Sequence, residues 1–105
     1  MKKILLVLVA LALASPVHAK ATCQTKQVVM FMTDWCPYCR RADAFFRFHE
    51  VDFKAINIEK AVDPVDMETR KLFPKGQGVP YILVEGQIVY GYEPLELQRL
   101  LCITN

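Results

Sequence analysis

The sequence lacks a hydrophobic run long enough to cross a membrane. Hydrophobic residues make up 53% of its 105 residues, and the mean hydropathy is +0.20. The apolar run at the N-terminus nevertheless extends only over residues 4–14, a length of 11 residues, whereas a membrane-spanning helix needs about 20. No second apolar stretch of spanning length follows it. These features disfavour an integral membrane protein.

The N-terminal run has the pattern of a secretory signal peptide. Lys2 and Lys3 precede it, and the small-residue pattern Val17-His18-Ala19 follows it, as at a signal cleavage site. We therefore assign residues 1–19 to a signal peptide and residues 20–105 to one exported domain. No lipid-anchor cysteine follows the expected cleavage site, so we expect a periplasmic protein that has no membrane contact after cleavage. An uncleaved N-terminal anchor is the alternative.

The exported domain also lacks an excess of charge of either sign. The chain has 13 basic and 11 acidic residues, and loss of Lys2 and Lys3 leaves 11 of each. Nucleic-acid binders normally carry a basic patch or excess, so we expect no nucleic-acid partner. The sequence shows no internal repeat and no linker that would divide the remaining 86 of the 105 residues.

Four cysteines remain after export: Cys23, Cys36, Cys39 and Cys102. Disulfides form and persist in oxidising compartments such as the periplasm, and four cysteines allow three pairings. Spacing favours a Cys36–Cys39 pair, and it leaves Cys23 and Cys102, near the two ends of the exported chain, as a second pair. We predict that this second pair is a structural disulfide; a free buried thiol or an accessory redox relay is the alternative.

The pattern of apolar residues predicts alternating strands and helices in an α/β domain. Strands are expected at 27–33, 52–58, 81–84 and 87–90, with Glu85-Gly86 as a tight turn between the last two. Helices are expected from Pro37 to about Glu50, from Pro64 to Phe73 after an Asp63 cap, and from Pro94 onward. The order β-α-β-α-β-β-α predicts a mixed four-stranded sheet flanked by three helices.

A pair of cysteines lies where the first strand ends and the first helix begins, in Trp35-Cys36-Pro37-Tyr38-Cys39. The N-terminus of a helix stabilises an anion, so Cys36 is expected to be a thiolate at neutral pH, and Arg40 and Arg41 add positive potential. Cys39 lies one helical turn further on and is expected to be less exposed than Cys36. We predict that Cys36 attacks a substrate disulfide and that Cys39 resolves the mixed disulfide.

The cysteine pair has two other interpretations. Half of a zinc site would need two more ligands, and Cys23 and Cys102 do not form a second close pair. A purely structural short-range disulfide is the other interpretation. We expect no metal. Glu59 and Lys60 are interpreted as ordinary solvated charges.

The Cys-Pro-Tyr-Cys motif, the element order and Gly78-Val79-Pro80 before the hairpin resemble the glutaredoxin branch of the thioredoxin fold, over nearly the whole exported chain. The resemblance implies that Pro80 follows a cis peptide bond and faces the cysteine pair, and that the backbone of Val79 pairs with substrate. X-Pro bonds are the ones in which the cis form is accessible. A trans Pro80 that merely opens a strand is the alternative.

The sequence departs from the family where glutathione binds. Thr33 replaces the family's lysine before the motif, Gly78 replaces its threonine before Val-Pro, and Tyr90-Gly91-Tyr92-Glu93-Pro94 replaces its two glycines and two acids. A tryptophan directly before the first cysteine, here Trp35, resembles thioredoxins rather than glutaredoxins. Glutathione therefore remains possible but is not favoured, and a protein thiol or disulfide is at least as good a partner. No cofactor is expected beyond the redox disulfide itself.

These observations predict an exported, monomeric thiol–disulfide oxidoreductase. Its partners would be protein thiols or disulfides and a protein that recycles its redox state. Trp35 and Tyr38 either offer an apolar platform to substrate or pack against the fold. A non-catalytic peptide-binding module that uses Val79-Pro80, and an iron–sulfur cluster carrier that uses Cys36 and glutathione, are the rival functions.

Overall fold

The structure, a computed structural model, describes residues 26–103. The assigned signal peptide and Cys23 lie outside these residues. The described chain contains the seven predicted elements in the predicted order: β1 Val28–Met32, α1 Pro37–Phe48, β2 Lys54–Asn57, α2 Pro64–Arg70, β3 Tyr81–Val84, β4 Gln87–Tyr90 and α3 Pro94–Leu101. Within residues 26–103, no helix is long and apolar enough to cross a membrane.

The four strands form one mixed sheet in the order β2-β1-β3-β4. β1 and β2 are parallel, which α1 permits by crossing over between them. β3 runs antiparallel to both β1 and β4. Glu85 and Gly86 join the hairpin with φ angles of 50° and 83°, since a two-residue type I′ turn requires positive φ at both positions. The mixed sheet and the hairpin are therefore confirmed.

One face of the sheet is covered by α1 and α3. Strand side chains alternate between the two faces, so residues of β1, β3 and β4 contribute every second side chain to this core. The helices complete it with apolar residues at helical spacing. The buried members are Val28, Met30, Ala42, Phe45, Phe46, Ile82, Val84, Val89, Leu97, Leu100 and Leu101.

The opposite face carries a smaller, aromatic cluster. Phe31, Ile56 and Tyr81 are its buried members. Phe73, from the segment after α2, packs against Phe31 and Tyr81 with ring centroids 5.5 and 5.6 Å away. The helix α2 contributes no buried residue. This face is therefore closed mainly by the segment that follows α2, which leads into the loop before Pro80.

The helix boundaries depart slightly from the sequence prediction. The first helix ends at Phe48 because Glu50 adopts a left-handed conformation, φ 56°. The second helix ends at Arg70 rather than Phe73, because the hydrogen bonds that follow join residues three apart instead of four. Leu72 N–H donates to Thr69 O, and Phe73 N–H donates to Arg70 O. The predicted Asp63 cap is confirmed, since its carboxylate accepts the N–H groups of Val65 and Asp66.

Candidate active site

Cys36 occupies the N-cap of α1. Its backbone is extended (φ −88°, ψ 111°), and its sulfur accepts a hydrogen bond from the backbone N–H of Cys39 at 3.0 Å. Pro37 fills the first helical position, where a missing N–H costs nothing. The first turn of α1 contains no acidic residue. An anion on the Cys36 sulfur would therefore meet the backbone N–H of Cys39 and the positive end of the helix dipole.

Cys36 and Cys39 are joined by a disulfide, and their Cα atoms lie 5.2 Å apart. Both residues are nearly inaccessible, with 3% and 2% of their surface exposed. Cys39 was predicted to be the less exposed of the two, and in the disulfide state the difference between them is marginal. The bond draws the two sulfurs together at the base of the loop, so exposure does not distinguish them. Their positions on α1 distinguish the two cysteines, because Cys36 is the N-cap residue and Cys39 lies inside the helix.

The two arginines after the motif have partners of their own. The guanidinium of Arg41 lies over the ring of Tyr38, 5.2 Å from its centroid, in the geometry of a cation–π contact. Arg40 donates to the backbone carbonyl of Asp34 at 3.4 Å. Both arginines therefore brace residues that flank the cysteines, in addition to the positive charge they bring to that end of α1.

The loop before the cysteines is tied to the end of β2 by polar side chains. Asn57 donates to the Asp34 carboxylate at 2.9 Å, and Lys60 forms an ion pair with the same carboxylate. The hydrogen bond and charge of Lys60 lower the pKa of Asp34, and Asp34 raises the pKa of Lys60 in the same way. This contact fixes the loop against the parallel strand pair, where Ile58 N–H still donates to Met32 O at 3.0 Å.

Trp35 also links the cysteine loop to the segment that follows β2. Its indole N–H donates to the Glu59 carboxylate at 3.4 Å, while 63% of the residue is exposed. Glu59 and Lys60 are solvent-exposed charges, as predicted, and both also contact the loop that carries the cysteines. Tyr38 is also exposed, at 55%. The two aromatic rings that flank the cysteine pair thus offer accessible apolar surface.

Val79 and Pro80 lie at the same end of the sheet as the cysteine pair. The peptide bond between them is cis, as the resemblance implied. The register that pairs Phe31 with Tyr81 brings Val79-Pro80 alongside the end of β1, from which the cysteine loop leaves. Pro80 is buried and Val79 is half-buried. The carbonyl of Pro80 accepts the N–H of Gly91 at 2.9 Å, so the start of β3 is also bound on the side that faces β4.

Thr33 is a polar residue at this end of the sheet, at the position where the family carries a lysine. It follows β1 directly, only 2% of it is exposed, and its backbone carbonyl accepts the N–H of Cys36 at 3.4 Å. Within residues 26–103, no hydrogen-bond partner is found for its hydroxyl. A polar residue between an apolar strand and a CxxC pair was the sequence signal that could have identified it.

Of the second predicted cysteine pair, Cys23 lies outside the described residues. Cys102 follows α3 directly and adopts a left-handed conformation, φ 57°, as the C-cap of that helix. Its neighbours Leu101 and Ile103 line a cavity together with Lys26 and Gln27, the residues just before β1. In the described part of the chain, no three His, Cys, Asp or Glu residues form a group that would hold a metal ion.

Comparison with known proteins agrees with this geometry. The family model described as glutaredoxin matches residues 28–89, which contain the cysteine pair and the cis-proline. The chain belongs to the glutaredoxin family. A similar curated protein is an uncharacterised glutaredoxin-like 8.6 kDa protein in the rubredoxin operon of Clostridium pasteurianum, 27% identical over 74 residues that cover 70% of this chain and 96% of the relative.

Solved structures share the fold of this glutaredoxin-like chain. A glutaredoxin of Archaeoglobus fulgidus has a TM-score of 0.58 at 24% identity and covers 86% of this chain and 100% of its own. A methanoredoxin of Methanosarcina acetivorans has a TM-score of 0.59 at 15% identity, with 71% and 83% covered. A buckwheat glutaredoxin–glutathione complex has a TM-score of 0.52 at 18% identity, with 94% and 84% covered. The predicted α/β thioredoxin fold is thereby confirmed.

Proposed function

We propose that this glutaredoxin-like chain is an exported thiol–disulfide oxidoreductase in which Cys36 is the attacking and Cys39 the resolving cysteine. The observation that carries the proposal is the Cys36 sulfur at the N-cap of α1, bonded to Cys39 and hydrogen-bonded by the Cys39 N–H at 3.0 Å. This arrangement supports a thiolate on Cys36 in the reduced protein. Family membership and the CxxC pair support thiol redox chemistry in general.

In the reductive direction, the Cys36 thiolate attacks one sulfur of a substrate disulfide. A bond forms between Cys36 and that sulfur, and the second substrate sulfur leaves as a thiolate that takes up a proton. Cys39 then loses its proton and attacks the Cys36 sulfur, which releases the first substrate sulfur as a thiol. Two electrons pass to the substrate and the Cys36–Cys39 disulfide forms. Every step is reversible, so the redox partner decides the direction.

The surroundings of the pair favour a protein partner over glutathione. The family's glutathione-contacting lysine is replaced by Thr33, whose side chain is buried and leaves no cation at that position. Trp35, directly before Cys36, and Tyr38, between the two cysteines, provide exposed aromatic surface, which suits an apolar segment of a polypeptide. Val79, next to the cis-proline, is the residue we assign to backbone pairing with an extended substrate. We propose protein thiols or disulfides as substrates and a monomeric enzyme.

Reduction of insulin by dithiothreitol, followed by turbidity, tests the function. We expect the protein to accelerate precipitation, and we expect Cys36→Ser to remove the acceleration. Serine is itself a good N-cap residue, so this variant keeps the start of α1 and serves as a matched control. A wild-type protein that forms its disulfide but does not accelerate insulin reduction would instead support the peptide-binding module, and brown colour on purification would support the iron–sulfur carrier.

Export to the periplasm is part of the proposal and rests on residues 1–19. Expression of the full chain in a Gram-negative host, followed by fractionation and N-terminal sequencing of the product, tests it. We expect a periplasmic protein whose first residue is Lys20. Recovery of the uncleaved chain in the membrane fraction would support the N-terminal anchor, and recovery in the cytoplasm would contradict both.

A further inference from the structure

One buried polar group beside the redox pair has no role in the mechanism above. The hydroxyl of Thr33 is enclosed in a residue that is only 2% exposed, and among residues 26–103 no partner accepts from it or donates to it. The other buried oxygen without a hydrogen bond there is Asp66 Oδ1, but it faces the Lys54 ammonium at 2.9 Å. Thr33 is therefore distinct in having neither a hydrogen bond nor an ionic partner.

The position of Thr33 brings it to the cysteines. Its carbonyl accepts the Cys36 N–H at 3.4 Å, so Thr33 and Cys36 are the two ends of one tight turn, and such ends lie within about 7 Å of each other. The described structure is the disulfide state. An unsatisfied buried hydroxyl in that state is unfavourable, because water can no longer hydrogen-bond to it.

We propose that the Thr33 hydroxyl hydrogen-bonds to a sulfur of the redox pair in the dithiol state, and thereby sets the reduction potential of Cys36–Cys39. Reduction breaks the S–S bond and lets the sulfurs move apart, which gives the hydroxyl a thiol or thiolate partner. Thr33 therefore stabilises the reduced form and is left unsatisfied in the oxidised form. Both effects make the protein a stronger oxidant than it would be with an apolar residue at this position.

The reaction that measures this effect is equilibration with glutathione. Two glutathione molecules become one glutathione disulfide, two electrons pass to Cys36–Cys39, and the pair becomes a dithiol that releases a proton where Cys36 ionises. Acid quenching, alkylation and mass spectrometry of the peptide that contains both cysteines give the equilibrium constant. The inference rests on the proposed exchange activity, but the equilibrium does not depend on any protein substrate.

Thr33→Val removes the hydroxyl and nearly preserves the shape. We expect the equilibrium constant for disulfide formation to rise about threefold to tenfold, the range of a single net hydrogen bond. A tenfold change corresponds to a potential lower by about 30 mV. Thr33→Ser should stay within about twofold of the wild type. Thr69→Val is the matched control, because the Thr69 hydroxyl donates to Val65 O on α2, and it should leave the potential unchanged.

Thermal unfolding of both redox forms separates this role from a structural one. Thr33→Val should leave the disulfide form as stable as the wild type, or more stable, and should destabilise the dithiol form. Equal destabilisation of the two forms with an unchanged potential would overturn the inference. If Thr33→Val does not fold, comparison of Thr33→Ser with Thr33→Ala makes the same test.

The failure of this inference differs from failure of the proposed function. A wild-type pair that never equilibrates with glutathione or dithiothreitol contradicts exchange chemistry altogether. A pair that equilibrates normally but keeps its potential in Thr33→Val contradicts only the role of Thr33.

Discussion

The backbone N–H of Cys39 donates a hydrogen bond to the sulfur of Cys36 at 3.0 Å, across the first turn of α1. The same sulfur therefore begins the helix and forms the disulfide. After reduction this N–H faces a thiol or thiolate, and a hydrogen bond to the anion is stronger than one to a neutral acceptor. The N-cap interaction thus links the local folding of α1 to the reactivity of Cys36.

We predict that the two cysteines give opposite phenotypes when each is replaced by serine. Cys36→Ser should abolish exchange, because no thiolate remains at the helix N-terminus. Cys39→Ser should retain the first attack and accumulate mixed disulfides, because nothing resolves them. Non-reducing electrophoresis after incubation with oxidised substrate measures both results. Trapped species in Cys36→Ser and none in Cys39→Ser would reverse the assignment.

We predict that Cys36 is the more acidic thiol of the reduced protein. Iodoacetamide labelling at graded pH should modify Cys36 with a midpoint below pH 7, whereas an ordinary cysteine has a pKa of about 8.5. Cys39 should react only at higher pH, because it lies one turn into the helix. Labelling is read on the single peptide that contains both residues. Faster labelling of Cys39 at neutral pH would contradict the helix-terminus argument.

Sequence patterns predicted the fold well where the signals were local. The hairpin bounds agree because Glu85-Gly86 dictates a two-residue turn, and Asp63-Pro64 marks the start of α2 through a side-chain cap. The end of α2 was misplaced because Phe73 packs against Phe31 and Tyr81, which lie on other elements. Such long-range contacts override a local helical pattern that extends to Pro74.

The candidate site was predictable only in its covalent part. The CxxC spacing after an apolar strand identifies Cys36 and Cys39, and the Val-Pro dipeptide identifies the cis bond through the family resemblance. The contacts of Asp34 with Asn57 and Lys60 join residues from separate loops, and no local pattern links them. The near-complete burial of both cysteines is likewise not evident from any local pattern.

The Asp34–Lys60 ion pair gives a pH dependence with a definite sign. Because the pKa of Asp34 is lowered, its contribution is complete above the unfolded value of about 3.9 and is lost as pH falls through the lower, folded value. The raised pKa of Lys60 means that its contribution is complete below about pH 10.4 and is lost above it. The pair should therefore hold the cysteine loop from about pH 4 to pH 10.

Trp35 is the single tryptophan of the chain and reports on this loop. We predict that in the disulfide form its fluorescence is constant from about pH 5 to pH 9, that Lys60→Met changes it throughout this window, and that the two proteins converge as the pH falls through the lowered pKa of Asp34. Lys71→Met is the control, since Lys71 pairs with Glu68 on its own helix turn and away from the cysteine loop. Identical profiles for wild type and Lys60→Met would show that the ion pair does not hold the loop.

The caps of α2 and α3 should differ in their effect on stability. Asp63 accepts two backbone N–H groups at 3.0 and 3.3 Å, so Asp63→Ala should cost about 1 kcal/mol of unfolding free energy. Glu93 occupies the same position in α3 without a side-chain hydrogen bond, so Glu93→Ala should change stability by less than about 0.5 kcal/mol. Urea unfolding of both variants measures the difference, and equal losses would contradict the capping argument.

The last prediction is the Cys23–Cys102 disulfide, at the end of the sheet away from the redox pair. Leu101 and Ile103 line the same cavity as Lys26 and Gln27, and Cys23 precedes Lys26 by three residues, a span of at most about 10 Å. A bridge there closes a loop of nearly 80 residues. In the chain-entropy model it would stabilise the fold by up to about 4.5 kcal/mol, a large share of a typical domain's stability of about 5–15 kcal/mol.

A double-mutant cycle distinguishes this bridge from two independent cysteines. If the bridge forms, Cys23→Ala, Cys102→Ala and the double variant should all lose similar stability, with melting temperatures lowered by more than about 10 °C, because each change opens the same loop. Insulin reduction should remain nearly intact in all three, since the Cys36–Cys39 pair lies at the other end of the sheet. Cys102→Gly controls for the backbone, because Cys102 has a left-handed φ of 57°, which alanine tolerates less well than glycine. Additive losses, or alkylation of both cysteines after denaturation without reductant, would show that the two do not pair.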